Sequence, residues 1–568
     1  MSRQKPKAKP PLLMSTKIKE KGEIRFKAYS QDIVVDLPLQ IKDLVKDNAL
    51  AQLINEIVDQ IDLKELARYY SGLGRPPYHP QMMIKVWIYG YCTKVYTSRP
   101  LAEKLRQDLV FIWLSGGQRP CFKTLSEFRS CRMQGLIDEV LRTVLLYLVE
   151  HDYVNLDDLY VDGTKWEANA NKHKIVWRKN TARYKEAVLK RITLLLEDWQ
   201  ALQQAEDATY GNKDLWSHQN PDQIELVLTS ADLQNRLTQL NELIEQQGEK
   251  KQKKSLEKIH RHLSKEQSKL AKYEDQEQLL ADRNSYSKTD KDATALRMKD
   301  ERLLAGYNVQ ITTSDQYIIN ATMHQNGSDS PTLKPHVEKL EERVVDLVPS
   351  NWAPDYTADA GYGSEENYDL LQAKGYTAYV KYPLWYQEQS GQLAKKIFSS
   401  YNWPYNAEQD YYLCPNQTPL LFKEETIKKS ANGYDRQIRI YESQSCRGCP
   451  LFEQCRLPKA KPGSNRIIYK SKKLEAYKAA VKERLASDQG LAKRSQRAVD
   501  VETPFANIKY NMAHRRFVLR GIDKVNIEFQ LLALAHNIKK IYCEQTGVWA
   551  EHYARRANRK KAKGKKGA

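Results

Sequence analysis

The chain has 568 residues, more than one compact core usually holds, and its apolar share of 41%, with 34 Tyr and 10 Trp, excludes global disorder. It contains no run of about eighteen apolar residues, which argues against a membrane span, and its polar start lacks the apolar core of a secretion signal. The formal charge is +20 and sits largely at the ends: Met1–Lys27 carries nine Lys/Arg against two Glu, and Arg555–Ala568 carries eight Lys/Arg and no acid.

Such ends suit a polyanionic partner, because Lys and Arg neutralise phosphates and release counterions. The alternative is a purely solubilising role. Eight Cys in a chain of this length do not make a disulfide scaffold. A reducing cytoplasm fits, and a cysteine cluster is read first as metal-binding.

In chain order, residues 1–37 read as a disordered basic arm, and residues 38–150 read as helical. Leu50, Leu53, Ile54, Ile57 and Ile61 recur at helical spacing. Gly74-Arg75-Pro76-Pro77 breaks the chain. His79-Pro80 opens a second helix through Met83, Val86, Trp87 and Tyr91, and Ser98-Arg99-Pro100 a third, with Leu101, Leu105 and Leu109. Short helices with tight turns suit a helix-turn-helix-like module, and equally any small helical domain.

Leu159-Tyr160-Val161 is a short strand ending in Asp162-Gly163. Heptad spacing follows: Val188, Ile192, Leu195, Trp199 and Leu202; Leu233, Leu237, Leu240 and Ile244; Leu256, Ile259, Leu263, Leu270 and Tyr273. These seams predict helices packed as a hairpin or coiled coil, with Gly248 and a lysine-rich turn at Lys250, Lys251, Lys253 and Lys254 joining two of them. This block carries no catalytic pattern and reads as an insertion, a DNA or dimer contact. Then Tyr307–Ile311 and Tyr317–Thr322 make a hairpin signature, Ser330–Val344 a helix, Asp355–Asp359 a short strand ending in an acid, and Tyr376–Tyr382 one more strand. The sum is a mixed α/β pattern with a long insertion after its first strand.

Asp162 and Asp359 each follow a short apolar strand and precede a glycine-containing turn. Strand ends put side chains at one sheet edge, where several elements converge on a ligand. Glu502 lies in Arg497-Ala-Val-Asp-Val-Glu502-Thr-Pro-Phe505-Ala-Asn-Ile508-Lys509, where Phe505, Ile508 and Met512 share one helical face. Pro504 favours an early helical position, which places Glu502 near that helix's start. Three carboxylates at a sheet edge suit phosphoryl transfer: Mg²⁺ takes hard oxygen ligands, and a pair of ions can activate the attacking oxygen and stabilise the leaving one.

Val161–Asn171 (VDGTKWEANAN) resembles the first-acid motif of bacterial insertion-sequence DDE transposases, and Ala358–Ser364 (ADAGYGS) their second. Val501-Glu502 through Lys509, then Arg515-Arg516-Phe517 and Arg520-Gly521, resembles their third-acid region. Leu532–Ile538 resembles their closing helix, and Gly74–Arg129 their N-terminal domain. Many relatives place an Arg four residues before the Glu and a Lys seven after it. Lys509 matches, whereas the earlier position is Ala498, with Arg497 one residue off.

The resemblance implies an RNase H-like mixed-sheet core with a long helical coiled-coil insertion and a helical N-terminal domain. It implies metal-dependent DNA cleavage and strand transfer at transposon ends, with two Mg²⁺ (or Mn²⁺) held by Asp162, Asp359 and Glu502. DNA contacts are expected from Lys165, Lys509, Arg515, Arg516 and Arg520. The partners are then terminal inverted repeats and target DNA, bound by a homodimer in a prokaryotic cytoplasm at the nucleoid. Two other functions remain open at this point: a domesticated, non-catalytic DNA-binding protein, and a nuclease that cuts without joining.

Cys446-x2-Cys449-x5-Cys455, with Cys414-Pro415 upstream, can supply four thiolates to a structural Zn²⁺. The resembled transposases carry similar cysteines, and reduced structural thiols are the alternative. Cys92, Cys121, Cys131 and Cys543 read as core residues. The expected layout is an arm (1–37), a helical DNA-binding domain (38–150), the first part of the core (151–180), the insertion (181–285) and the second part of the core (286–400). A cysteine-rich segment (401–470), C-terminal core helices with Glu502 (471–545) and a basic tail (546–568) follow.

Overall fold

The computed structural model describes residues 27, 29–31, 40–62, 64, 70, 76–210, 228–430, 432–455 and 463–548. Nearly all of the expected arm, the tail beyond residue 548 and the Gly74-Arg75 break lie outside these residues. The chain divides into two units, residues 1–166 with 308–568, and residues 167–307.

In the first unit the N-terminal apolar pattern becomes helices. α1 (Ala49–Asp59) is capped by Asn48, whose side chain accepts from Ala51 N at 3.0 Å. α2 (Pro80–Cys92) begins on its proline, and every residue in it is buried. Shorter helices at Ser98–Gln107, Leu109–Leu114 and Phe122–Glu127 lead to α3 (Met133–Glu150).

The sheet that positions the acids has five strands in this unit: β1 (Asp158–Glu167), β2 (Leu303–Ser314, from Asn308 onward), β3 (Tyr317–His324), β4 (Asp355–Ala358) and β5 (Thr377–Val380). Their spatial order is β3-β2-β1-β4-β5. β2 and β3 form an antiparallel hairpin. Its two turn residues, Asp315 and Gln316, both have positive φ (51° and 64°), as a turn matching the strand twist requires. β1, β4 and β5 run parallel, in registers ending at Val161↔Ala358 and Ala358↔Val380. α4 (Leu333–Val344) leads from β3 to β4, and α5 (Glu365–Ala373) from β4 to β5.

β1 differs from expectation. It does not end at Asp162-Gly163 but runs on to Glu167. Gly163 serves a close approach rather than a turn: a Cβ there would lie 2.4 Å from Gln310 Nε2.

Three helices close the unit: α6 (Lys472–Ala486), α7 (Asp488–Ala506) and α8 (Ile522–Thr546). α7 corrects the reading of Pro504. The helix starts at the Ser487 cap, whose side chain accepts from Gly490 N at 3.1 Å, so Pro504 lies inside it and Glu502 is near its end. A proline there leaves the Asp500 carbonyl without its helical donor, and the chain widens into a π-turn at Asn507–Asn511 directly afterwards. α8 is bound to both the sheet and the N-terminal helices. The Asn537 side chain bonds Ile318 N and O of β3 (2.9 and 2.8 Å), and Cys92 Sγ of α2 contacts Ala535 O.

The cysteine-rich segment forms its own antiparallel sheet from β6 (Tyr405–Asn406), β7 (Tyr411–Leu413), β8 (Pro419–Lys429), β9 (Asp435–Ser443) and β10 (Ile467–Lys470). Its core is Trp403, Leu420, Tyr441 and Ile468.

The second unit holds three long helices, Arg178–Tyr210, Ser230–Gln246 and Lys250–Leu280. Val188, Ile192, Leu233, Leu237, Leu263 and Leu270 bury one another, as do Trp199, Leu240, Leu256 and Ile259. Lys250–Lys254 is not a turn: these lysines begin the third helix, and Gly248 falls in the short connection before it. A strand at Thr294–Arg297 pairs with Leu303–Gly306. Among the described residues no helix is long and apolar enough to cross a membrane.

Candidate active site

Asp162 and Asp359 hold corresponding places in the sheet. The β1/β4 ladder ends at Val161↔Ala358, and each aspartate is the next residue. β1 continues beyond this point, whereas the chain after β4 turns off through a 3-10 turn at Ala360–Tyr362. Both side chains are only partly exposed.

A third carboxylate, which the sequence reading missed, lies between the residues that follow them. A Cβ on Gly163 would sit 2.9 Å from Asp329 Oδ1, and one on Gly361 would sit 3.3 Å from Asp329 Oδ2. Asp329 Oδ1 accepts from Asn308 Nδ2 (2.8 Å) and Gln310 Nε2 (3.1 Å). Tyr362 OH donates to Gln310 Oε1. Burial pushes the Tyr362 phenol well above its usual range, and the charges of Asp329 and Asp162 push it the same way while Arg497 opposes them. This cluster therefore carries concentrated negative charge. The one signal in the sequence is the turn Gly327-Ser328-Asp329-Ser330-Pro331, just before a helix.

Arg497 answers part of that charge. Its guanidinium contacts Asp162 Oδ1 at 2.9 Å and its Nε reaches Val161 O at 3.4 Å. The residue one place off the family spacing is thus the one that meets the first acid. Asp359 Oδ1 is buried and has no hydrogen-bonding partner among the described residues. A buried carboxylate oxygen without a donor is costly, so it fits a place where a cation binds.

Glu502 is exposed on α7. Phe505 and Lys509 follow it at helical spacing, and Lys509 Nζ donates to Thr164 Oγ1 at 2.7 Å beneath the Trp166 ring. Thr164 points to the same face of β1 as Asp162, since side chains alternate along a strand. Among the described residues, however, no group of three or more His, Cys, Asp or Glu side chains is arranged to hold a metal ion. The fold brings Asp162 and Asp359 to neighbouring strand positions.

Of the other expected DNA contacts, Arg515, Arg516 and Arg520 are exposed on the loop after the π-turn. Glu528 of α8, fully buried, holds that loop: it accepts from His514 Nε2, Val518 N and Leu519 N, each at 2.8 Å. A lone Glu inside an apolar helix gave no hint of this in the sequence. Lys165 is half-buried and on the opposite face of β1 from Asp162, so it does not join Lys509.

Cys414, Cys446, Cys449 and Cys455 all line one cavity of about 270 Å³. They come from loops and one short helix, Phe452–Cys455. Burial raises the Cys455 thiol, Arg466 lowers it, and the other three thiols raise it further, which marks their proximity. Of the cysteines expected in the core, Cys92 is buried and Cys543 is intermediate, but Cys121 and Cys131 are exposed. Cys121 occupies the position just before the Phe122–Glu127 helix, and Cys131 lies in the π-helical turn that follows it.

Two family models match this chain. Residues 39–131 match a Transposase domain (DUF772), and residues 413–542 match a Transposase DDE domain. Together these matches indicate an insertion-sequence DDE transposase. The matched stretches contain Glu502, Lys509 and all four clustered cysteines, while Asp162 and Asp359 lie between them. No curated protein and no solved structure matches the transposase.

Proposed function

We propose that this transposase cleaves DNA at the ends of its insertion sequence and joins the freed 3′ ends to target DNA. The observation that carries the reading is the pair Asp162 and Asp359, one residue past the end of a parallel ladder, with Asp359 Oδ1 buried and unpartnered. The order β3-β2-β1-β4-β5, an antiparallel hairpin beside three parallel strands, supports an RNase H-like core.

Asp162, Asp359 and Glu502 would hold Mg²⁺ or Mn²⁺. Two carboxylates plus substrate phosphate oxygens and water are an ordinary ligand set for Mg²⁺, so the pair on the sheet fits such an ion. When bound, the metal lowers the barrier to displacement at phosphorus by stabilising the entering and leaving oxygens. The chain's own residues do the positioning. Asn308 and Gln310 orient Asp329 behind the two glycines. Arg497 balances Asp162, and Lys509 holds the end of α7 against β1. Arg515, Arg516 and Arg520 are the phosphate contacts, on a loop fixed by Glu528. The thiols of Cys414, Cys446, Cys449 and Cys455 have the donor chemistry for one structural Zn²⁺. Terminal inverted repeats, target DNA and a second copy of the chain complete the working complex.

The test uses purified full-length protein with DNA carrying the element's ends. Asp162→Asn, Asp359→Asn and Glu502→Gln should each lose cleavage and joining while still binding the ends. Near wild-type activity in any one variant removes that residue from the set. Cleavage without joined product from the unaltered protein makes it a nuclease, and absence of both reactions favours the non-catalytic binder.

A further inference from the structure

We infer that the outward face of the helix Lys250–Leu280 is a docking surface for the sugar–phosphate backbone of duplex DNA. The inference rests on the chain acting on DNA and adds where a second, extended contact is made.

The helix carries two stripes. Leu256, Ile259, Leu263 and Leu270 point inward and are buried against the other helices of the same unit. Lys251, Lys254, Lys258, Arg261, Lys265 and Lys272 recur at the same alternation of three and four residues, and every one is exposed. They are offset from the apolar residues by two positions in the repeat, which puts them on the far side of the helix from the seam. Ser268 fills the one gap in the stripe.

Charge is sorted between the two sides. Glu266 is buried and paired with Arg191 and Lys269, Glu277 pairs with Lys185, and Glu274 accepts from Ser230 N. These acids are used inside the bundle. Among the described residues, none of the six outward cations is in an ion pair with an acid, and Glu257 is the one acid exposed between Lys250 and Lys272. That stretch has nine Lys/Arg against two Glu. An ordinary solvated helix alternates its charges and satisfies them at one-turn spacing. This one holds a single sign along a line.

The dimensions fit a duplex. At about 1.5 Å per residue the stripe from Lys251 to Lys272 extends roughly 30 Å, close to one turn of B-DNA at 3.4 Å per base pair. Long flexible lysines on a straight rod suit phosphates and carry no base code, so the contact should be indifferent to sequence. Three packed helices hold the row in place, so little ordering cost is added on binding.

The experiment replaces Lys251, Lys254, Lys258, Arg261 and Lys265 with Gln in the full-length protein. Binding is measured across a salt series on end-containing and random duplexes. Each lost phosphate contact should flatten the slope of log affinity against log salt by about 0.9, and affinity at low salt should fall at least about tenfold on both DNAs. Circular dichroism and melting of the variant confirm the bundle, and Lys→Glu at Lys258 and Lys265 alone should weaken binding further than Lys→Gln at the same two positions. An unchanged slope in a folded variant overturns the inference, as does a loss confined to end DNA. A changed oligomeric state with unchanged DNA affinity also overturns it, assigning the face to another copy of the chain. Cleavage activity in the folded variant reads the proposed reaction separately, so either idea can fail alone.

Discussion

The two regions of the transposase proposed to hold metal ions are built in opposite ways. Asp162 and Asp359 stand on adjacent parallel strands whose backbone ladder exists without any ion. Asp329 behind them is fixed by two side-chain amides. The four cysteines come from loops and a single helical turn around a cavity, where Arg466 N donates to Cys446 Sγ. A site carried on strands is preorganised, and losing a ligand there costs rate more than fold. A site carried on loops gains its order from what it binds, and losing a ligand there costs fold first.

The largest expected effect tests the first half of that contrast. Asp359→Asn should lower strand transfer by about a thousandfold or more, since a metal-stabilised transition state is lost. Its melting temperature should stay level or rise, because an amide in place of the unpartnered Asp359 Oδ1 removes a buried charge. A variant that keeps its activity, or one that unfolds, breaks the picture of a preformed sheet site. Asp329→Asn sharpens it. If Asp329 orients the site without being essential, activity should fall about ten- to a hundredfold, comparable to loss of an outer-shell partner.

The next effect falls on the cysteines. Cys446→Ser should abolish stoichiometric zinc in elemental analysis and lower the melting of the C-terminal segment by several degrees, with cleavage reduced only as the folded fraction falls. A strong chelator should reproduce the shift in the unaltered protein and do nothing further to the variant. Full zinc content in the variant, or a chelator-insensitive melt, counts against a metal in the cavity.

Arg497 offers a smaller but sharper probe. Its guanidinium is a counter-charge of Asp162, and it is largely buried. Arg497→Gln should destabilise the metal-free protein by about 1–3 kcal/mol, as expected when a partly buried ion pair is broken. Mg²⁺ should restore most of the loss, and half-maximal activity should be reached at lower Mg²⁺. A variant equally destabilised with and without Mg²⁺ would show that Arg497 is only a structural strut.

The same contrast explains what could be read in the sequence. Strands and turns with strong local signals were legible: the β2–β3 hairpin, the Ser330–Val344 helix, and both aspartates at sheet positions. Failures came where one residue type has two physical uses. Gly163 reads as a turn but allows the close approach of Gln310 within a strand. Pro504 reads as a helix start, yet the Ser487 cap had already begun α7. Asp329 and Glu528 were invisible because their partners, Asn308 and Gln310 for one and the backbone of Val518 and Leu519 for the other, lie in different elements. No periodicity reports such pairings.

The smallest effect belongs to the C-terminal tail, which has neither kind of scaffold in its sequence. Deleting Arg555–Ala568 removes eight positive charges and no acid. If these charges meet phosphate, the slope of log affinity against log salt should become shallower, and low-salt affinity should fall on all DNA alike. Discrimination between transposon ends and random DNA should survive, because base edges are read by ordered elements in the grooves. Cleavage rate at saturating DNA should not change, since the acids are carried on the sheet and helix α7. A salt titration of both proteins on both DNAs decides it. An unchanged slope means the tail does not touch DNA. A loss restricted to end DNA gives the tail a share in recognition, and the separation between a sheet-borne site that does chemistry and tail charge that holds DNA then fails.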